Sequence, residues 1–192
     1  LAAKAADVVI MVLGEHGFQS GEGRSRTQLD LPGVQQELLE EVFKVNKNCI
    51  LVLNNGRPLA IEWAAEHIPS IVEAWHLGTE TGNAVAQVLY GDYNPSGKLP
   101  MTFPRNVGQI PIYYNHKNTG RPVDPQPGEN MVFWSHYSDI KNAPLFPFGY
   151  GLSYTSFNYS NLNIEKESYA VNEEVQISVE LINTGDYDGK EV

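Results

Sequence analysis

The stretch DVVIMVL at residues 7–13 decides the fold, and CILVL at residues 49–53 repeats its pattern. Short continuous apolar runs rich in Val, Ile and Leu are typical of strands buried on both faces of a parallel sheet. Between them, apolar side chains recur at helical spacing from Val34 to Val45, which predicts an amphipathic helix. The order strand, helix, strand predicts an α/β fold: a mostly parallel sheet flanked by helices, called an α/β sandwich.

The same alternation continues toward the middle of the chain. Residues 59–67 predict a short helix that stops before Pro69, and residues 71–75 predict a third strand. Residues 79–90 predict a helix that ends at Gly91. Residues 98–103 predict a further strand at a sheet edge, since a proline interrupts it.

The last third of the chain follows other rules. From residue 108 to 147 periodicity is lost, and so long an irregular stretch usually serves a site or an interface. From residue 157 onward apolar and polar side chains alternate, most clearly at residues 175–181. This alternation predicts the first strands of an antiparallel β-sandwich. The chain starts at Leu1 rather than Met, so we expect a fragment of a longer protein.

Composition excludes several classes of partner. The 192 residues carry 13 Lys+Arg and 23 Asp+Glu, a formal net charge of −10, which disfavours a nucleic-acid or anionic membrane surface. No apolar run approaches the roughly 20 residues that span a bilayer. The single cysteine, Cys49, excludes an internal disulfide framework, and its apolar strand predicts a buried, inert thiol.

Polar loops follow the three predicted strands, near residues 14–26, 54–57 and 76–80. In open parallel sheets ligands bind outside the carboxyl ends of the strands. The first loop, GEHGFQSGEGRSR at residues 14–26, is the best candidate because it is longest and most polar. Its Glu22 is flanked by two glycines. Their backbone freedom could let the carboxyl group reach a substrate, and the alternative interpretation is a solvated acid near an arginine. Glu15 is better interpreted as fixing the loop by binding backbone amides or an arginine.

Other chemistries fit these residues poorly. The glycines of the loop do not form a phosphate-binding motif, and no G-x-S-x-G elbow occurs. His16 has no second histidine at the spacing of a zinc site, so no metal is expected. Aromatic residues cluster in the irregular stretch. Aromatic faces stack on sugar rings, so a sugar site would need such residues, but we expect most of them to pack the segment onto the domain. They are Tyr113, Tyr114, Phe133, Trp134, Tyr137, Phe146 and Phe148.

Four motifs together resemble family 3 glycoside hydrolases. GDYNPSGKLPMTFP at residues 91–104 and PFGYGLSYT at residues 147–155 are similar to two signatures of that family. NGRPL at residues 55–59 and VGQIP at residues 107–111 resemble its bacterial periplasmic β-glucosidase branch. The matches run through nearly the whole chain in the family's order.

The resemblance implies a parent of three parts: a TIM-like barrel, the α/β sandwich and a fibronectin type III-like domain. Residues 1–155 would then be the family's C-terminal α/β sandwich domain, and residues 156–192 the start of the fibronectin type III-like domain. The parent would be a retaining, exo-acting β-glucosidase, periplasmic or secreted, that releases terminal β-D-glucosyl residues and needs no cofactor. The barrel would supply an aspartate nucleophile, so the isolated fragment is predicted to be inactive.

The resemblance also assigns candidate site residues. Glu22 matches the family's general acid/base glutamate through residues 20–23 and the downstream Arg26, with Glu15 as second choice. Many relatives carry an aspartate just before that arginine, where this chain has Ser25. Arg26 and Trp134 are the candidate substrate-binding residues.

Two interpretations from other classes remain. One is a non-catalytic carbohydrate-binding or scaffold module, which sugar binding by the fragment would favour. The other is a flavodoxin-like nucleotide-binding domain, which fits the alternation of strands and helices but lacks a phosphate loop.

Overall fold

The computed structural model describes residues 1–117 and 131–192. These residues form two compact units. The first contains residues 1–82 and 99–150, and the second contains residues 83–98 and 151–192. The predicted irregular stretch at residues 108–147 therefore lies partly outside the described residues.

The first unit is built on a three-stranded parallel sheet, as the sequence predicts. Its strands are β1 (Val9–Gly14), β2 (Cys49–Asn54) and β3 (Ser70–Glu73), in the order β1-β2-β3. The helices of this unit are α1 (Ala2–Ala5), α2 (Gln35–Val45) and α3 (Glu62–His67). Gly14 pairs with Asn54, and Leu53 pairs with Glu73, so the three strands end side by side.

The core of the first unit lies around β2, the central strand. Its main members are fully or almost fully buried and come from β1, β2, α2, α3 and the segments that flank these two helices: Met11, Leu31, Leu39, Cys49, Leu51, Leu53, Leu59, Ile61, Ala64 and Ile68. Leu59 and Ile61 are buried in that loop, so α3 begins at Glu62, three residues later than predicted.

β1 is not buried on both faces, contrary to the prediction. Ile10 and Val12 are 45% and 59% exposed, whereas Met11 is buried and Val9 and Leu13 pack against the core. The core covers only the face of β1 that carries Val9, Met11 and Leu13, which leaves the face of Ile10 and Val12 exposed. An apolar run alone does not reveal whether the second face is covered.

The predicted strand at residues 98–103 is also wrong. Residues 99–103 run beside residues 145–150 with isolated hydrogen bonds, and only Phe103 and Phe146 form a β-bridge. Pro100 cannot donate to a ladder, which keeps this pairing from extending. Of the seven clustered aromatics, Phe146 packs against the core, and Tyr114 stacks on Phe148 with ring centroids 4.6 Å apart. Five of the seven are nevertheless exposed: Tyr113, Tyr114, Phe133, Tyr137 and Phe148.

The second unit contains most of α4 (Thr81–Tyr90) and a two-stranded antiparallel sheet, which confirms the predicted change of architecture. The strands are β4 (Phe157–Ile164) and β5 (Ile177–Asn183), and every residue of β5 is exposed. Asn94 ties this unit together: its Oδ1 accepts from Ser153 Oγ at 2.9 Å, and its Nδ2 donates to the Asp188 carbonyl at 2.9 Å.

Candidate active site

The loops that follow the three parallel strands meet at Gly56. A Cβ atom placed on Gly56 would lie 1.8 Å from Oγ of Ser20 and 3.2 Å from the ring of His76. These two residues belong to the loops after β1 and β3, and Gly56 belongs to the loop after β2. The convergence expected at the carboxyl ends of the strands is therefore present, and a residue without a side chain allows it.

The first loop leaves β1 through a close backbone approach. Gly14 has φ 135°, and a Cβ atom there would lie 2.0 Å from the backbone carbonyl oxygen of Asn54. The side-chain amide of Gln35, at the start of α2, accepts from the Gly14 N–H and donates to the Gly14 carbonyl. The end of β1 is thereby fixed from two sides before the chain reaches Glu15.

Glu15 is the electrostatic centre of the site. Its carboxylate is fully buried, 3.0 Å from Nε of Arg57 and 3.2 Å from Nη1 of Arg26. The N–H of Gly56 approaches the same carboxylate at 3.4 Å. These are the arginine and amide contacts expected of a carboxylate that fixes the loop. A buried charge is tolerated when it is paired and hydrogen-bonded in this way.

Arg57 connects this buried carboxylate to the glycine-rich loop. Its Nη2 donates to the carbonyl of Gln19 at 2.6 Å and to the carbonyl of Arg24 at 2.8 Å. The guanidinium group therefore holds the two ends of a six-residue loop with one nitrogen. Sequence reasoning placed Arg57 in a polar loop and gave it no role, because nothing in NGRPL indicates which backbone oxygens it reaches.

Glu22 lies between those two anchored carbonyls, at the tip of a turn. The N–H of Arg24 donates to the carbonyl of Gly21 at 3.1 Å, which closes a four-residue turn with Glu22 in its second position. Gly23 supplies the positive φ of 68° in the third position. Glu22 is exposed, and no other residue in the described part of the chain pairs with its carboxylate. The turn thus presents a solvent-facing carboxyl group on an anchored loop.

Glu73 is a second carboxyl group of interest, half-buried, which sequence reasoning missed. It ends β3, where its Oε1 accepts from the Trp75 N–H at 3.1 Å and its Oε2 lies 3.4 Å from Nδ2 of Asn55. Burial raises the pKa of Glu73 to about 7, although both hydrogen bonds act to lower it. Trp75 follows with a positive φ of 50°, which is uncommon for a bulky residue. An apolar strand ending in glutamate was the only available signal.

The predicted substrate-binding residues have different surroundings. Arg26 is mostly buried, and besides Glu15 it donates to the carbonyl and to Oδ1 of Asp30 at 3.0 and 3.1 Å. Trp134 is half-buried in the later loop, with its carbonyl 2.9 Å from the ring of His136. The structure thus joins Arg26 to Glu15, while the Trp134 carbonyl contacts a histidine of its own loop.

The remaining candidates have simple roles or none. Cys49 is buried, and burial raises the pKa of its thiol, as expected of an inert core cysteine. Within residues 1–117 and 131–192, no group of three or more His, Cys, Asp or Glu side chains has a metal-binding arrangement. No helix in the same ranges has the length and apolarity to cross a bilayer.

Comparison with known proteins supplies a family. A model described as the glycosyl hydrolase family 3 C-terminal domain matches residues 1–154. The chain is 48% identical over 191 residues to the periplasmic beta-glucosidase of Salmonella typhimurium, and equally to a beta-xylosidase of Formosa agariphila. Each alignment covers all of this chain and 25% of the relative, so the chain spans about a quarter of their length.

A solved structure agrees with these relatives. The beta-glucosidase from Listeria innocua in complex with glucose is similar with a TM-score of 0.91 and 41% sequence identity. The match covers 98% of this chain and 26% of that one. Similarity over nearly the whole chain therefore extends from sequence to three-dimensional structure, and the relatives named are glycoside hydrolases.

Proposed function

The chain belongs to glycosyl hydrolase family 3, and from that premise we propose that it supplies the general acid/base of a β-glucosidase-like hydrolase. The observation that supports this role is the position of Glu22. It is exposed at the tip of a turn whose two ends are hydrogen-bonded to Arg57, beside the carboxyl ends of the parallel strands. A proton donor needs this combination of access to substrate and a fixed position.

The proposed reaction is retaining hydrolysis of a glycosidic bond in two steps. In the first, the carboxylic acid of Glu22 gives its proton to the oxygen of the leaving group while a second carboxylate attacks the anomeric carbon. In the second step, water attacks the anomeric carbon while the Glu22 carboxylate takes a proton from it. The bond between the sugar and the nucleophilic carboxylate breaks, and the sugar is released. Retaining enzymes hold the two carboxyl groups about 5–5.5 Å apart.

The nucleophile belongs, in this proposal, to a part of the protein outside this chain. The chain spans about a quarter of its β-glucosidase relatives, which leaves ample length for a barrel domain carrying an aspartate. Glu15 is a poor alternative for either role because its fully buried carboxylate is paired with two arginines. The isolated chain is therefore proposed to have no turnover.

The substrate and location follow the relatives. We propose terminal β-D-glucosyl residues as the substrate, because several relatives are named beta-glucosidases; the equally similar beta-xylosidase makes xylosides the alternative. The name of the Salmonella relative supports a periplasmic or secreted location. The antiparallel pair β4–β5 supports residues 156–192 as the start of a fibronectin type III-like domain, after an α/β domain of residues 1–155.

The test is replacement of each glutamate in the full-length protein. Glu22→Ala should lower hydrolysis of aryl β-glucosides sharply, and azide should restore turnover because it attacks the glycosyl-enzyme without needing a base, yielding β-glucosyl azide. If Glu15→Ala, and not Glu22→Ala, gains activity with azide, the assignment to Glu22 is wrong. Turnover by the 192-residue chain alone would contradict the proposal that the nucleophile lies outside this chain. Full activity of both variants would favour the interpretation of the chain as a non-catalytic module.

A further inference from the structure

The loop that carries Glu22 has little intrinsic order. Four glycines lie within residues 14–23, and Gly21 and Gly23 adopt positive φ values of 125° and 68°. Glycine loses more conformational freedom on folding than other residues, so such a loop needs external contacts to hold one geometry. Its internal backbone bonds, Gln19 to His16 and Arg24 to Gly21, each span only three residues and do not tie the loop to the sheet.

Arg57 makes that tie from the neighbouring strand. One guanidinium nitrogen, Nη2, donates to Gln19 and Arg24 at 2.6 and 2.8 Å, three residues before Glu22 and two residues after it. Both acceptors are backbone oxygens, so the contact fixes the path of the main chain and not one side-chain rotamer. Charged donors make stronger hydrogen bonds than neutral ones.

The orientation of Arg57 is itself fixed. Its Nε binds Glu15, whose fully buried carboxylate also binds Arg26. The planar guanidinium group offers Nε in one direction and Nη2 in another, so it binds the carboxylate and the loop together. A lysine has a single nitrogen at the end of a flexible stem and cannot reproduce both contacts with the same geometry.

We propose that Arg57 is a positioning residue for Glu22. Because Arg57 binds the buried Glu15 carboxylate and the loop at the same time, it holds the loop that carries the proton donor in one position relative to the sheet. This inference rests on the proposed function of Glu22. In this proposal Arg57 acts through its contacts with Gln19 and Arg24 and not by binding the substrate. Displacement of a catalytic group by about 1 Å can lower the rate about 100-fold, so loosening this loop should reduce kcat much more than it changes KM.

The test compares Arg57→Lys with Arg105→Lys in the full-length protein. Arg105 is a matched control because it also binds a carboxylate, Glu62 at 2.7 Å, and a backbone carbonyl, Ala143 at 3.0 Å, with similar burial. Two readouts are needed: kcat and KM for an aryl β-glucoside, and amide hydrogen exchange of the peptide containing residues 19–24.

Arg57→Lys should lower kcat about 100-fold with KM within about threefold, and should speed exchange in residues 19–24. Arg105→Lys should do neither. Glu15→Asp keeps the buried charge but shortens its side chain by one methylene, so it should lower kcat and speed exchange in residues 19–24 by smaller amounts. This variant tests the proposal if Arg57→Lys does not fold. Unchanged exchange, or a kcat like that of Arg105→Lys, overturns the positioning role alone. Full activity of Glu22→Ala overturns both this inference and the function on which it rests.

Discussion

The Nε atom of Arg57 lies 3.0 Å from Oε1 of Glu15, a carboxylate with no exposed surface. This ion pair links the ends of the first two parallel strands, since Glu15 directly follows β1 and Arg57 follows β2 by three residues. In the same guanidinium group, Nη2 binds the loop that carries Glu22. The pair therefore connects the parallel sheet to the glycine-rich loop of the candidate site.

Glu15→Gln should strongly destabilise the chain. Removing one charge of a buried pair leaves the partner charges uncompensated, which typically costs about 3–5 kcal/mol of unfolding free energy. The loss is measured by urea unfolding at neutral pH. Glu62→Gln is the matched control, because Glu62 binds Arg105 at 2.7 Å but its side chain is 36% exposed, so we expect a loss of about 1 kcal/mol or less. Equal losses of unfolding free energy in the two variants would show that burial of the Glu15 carboxylate adds nothing to the contribution of its ion pairs to stability.

Gly56→Ala should displace the Glu22 loop. The new Cβ would lie 1.8 Å from Oγ and 2.8 Å from Cβ of Ser20, so the loop has to move outward. We expect a cost of about 1–3 kcal/mol in stability and a fall in kcat of about 10-fold or more in the full-length enzyme. Steady-state kinetics and thermal unfolding measure the two effects.

Two further variants control for Gly56→Ala. At Gly17, in the same loop, a Cβ meets nothing within 4 Å and φ is not positive, so Gly17→Ala should leave kcat nearly unchanged. Adding Ser20→Gly to Gly56→Ala removes the two closest clashing atoms and should recover part of the lost activity. A double variant no better than Gly56→Ala would contradict the close contact.

Glu73 should make stability depend on pH. Its ordinary pKa of 4.5 is raised to about 7 in the folded chain, so between these values the folded state keeps a proton that the unfolded state has lost. Stability therefore falls as pH rises from about 4.5 to about 7, and the loss is complete above that range.

Glu73→Gln imitates the protonated carboxyl group and should flatten this dependence. A shift of one pKa unit corresponds to about 1.4 kcal/mol. The free energy of unfolding of the variant should therefore exceed that of the original chain by up to about 3 kcal/mol at pH 8 and equal it near pH 4. Urea unfolding across pH measures the difference. Glu37→Gln, at an exposed position of α2, is the control and should leave the curve unchanged. A parallel shift at every pH would mean that Glu73 does not titrate in this window.

Much of the fold was predictable because period and composition report burial locally. The apolar runs at residues 7–13 and 49–53 predicted β1 and β2, and helical spacing predicted α2 almost to the residue. The strand predicted at residues 98–103 failed because a strand depends on its partner, and only Phe103 and Phe146 form a bridge there. The exposed face of β1 was unpredictable for the same reason: coverage is a tertiary property.

For the candidate site, the sequence indicated which loops to consider but not the contacts between their residues. The ligand rule for parallel sheets selected the loops near residues 14–26, 54–57 and 76–80, and the structure brings these three loops together at Gly56. The contacts of Arg57 with two backbone oxygens depend on loop geometry that no residue type encodes. Glu73 was missed since its raised pKa comes from burial at the end of β3, which a sequence does not display.

The most direct test of Glu22 as proton donor is the dependence of its removal on the leaving group. Glu22→Ala in the full-length enzyme is assayed with aryl β-glucosides whose phenols range from strongly to weakly acidic. An acidic phenol departs without protonation, whereas a weakly acidic one requires it. The account predicts a small loss of kcat/KM for the most acidic phenol and a loss of about 100-fold or more for the least acidic. A loss of the same size across the series would contradict it.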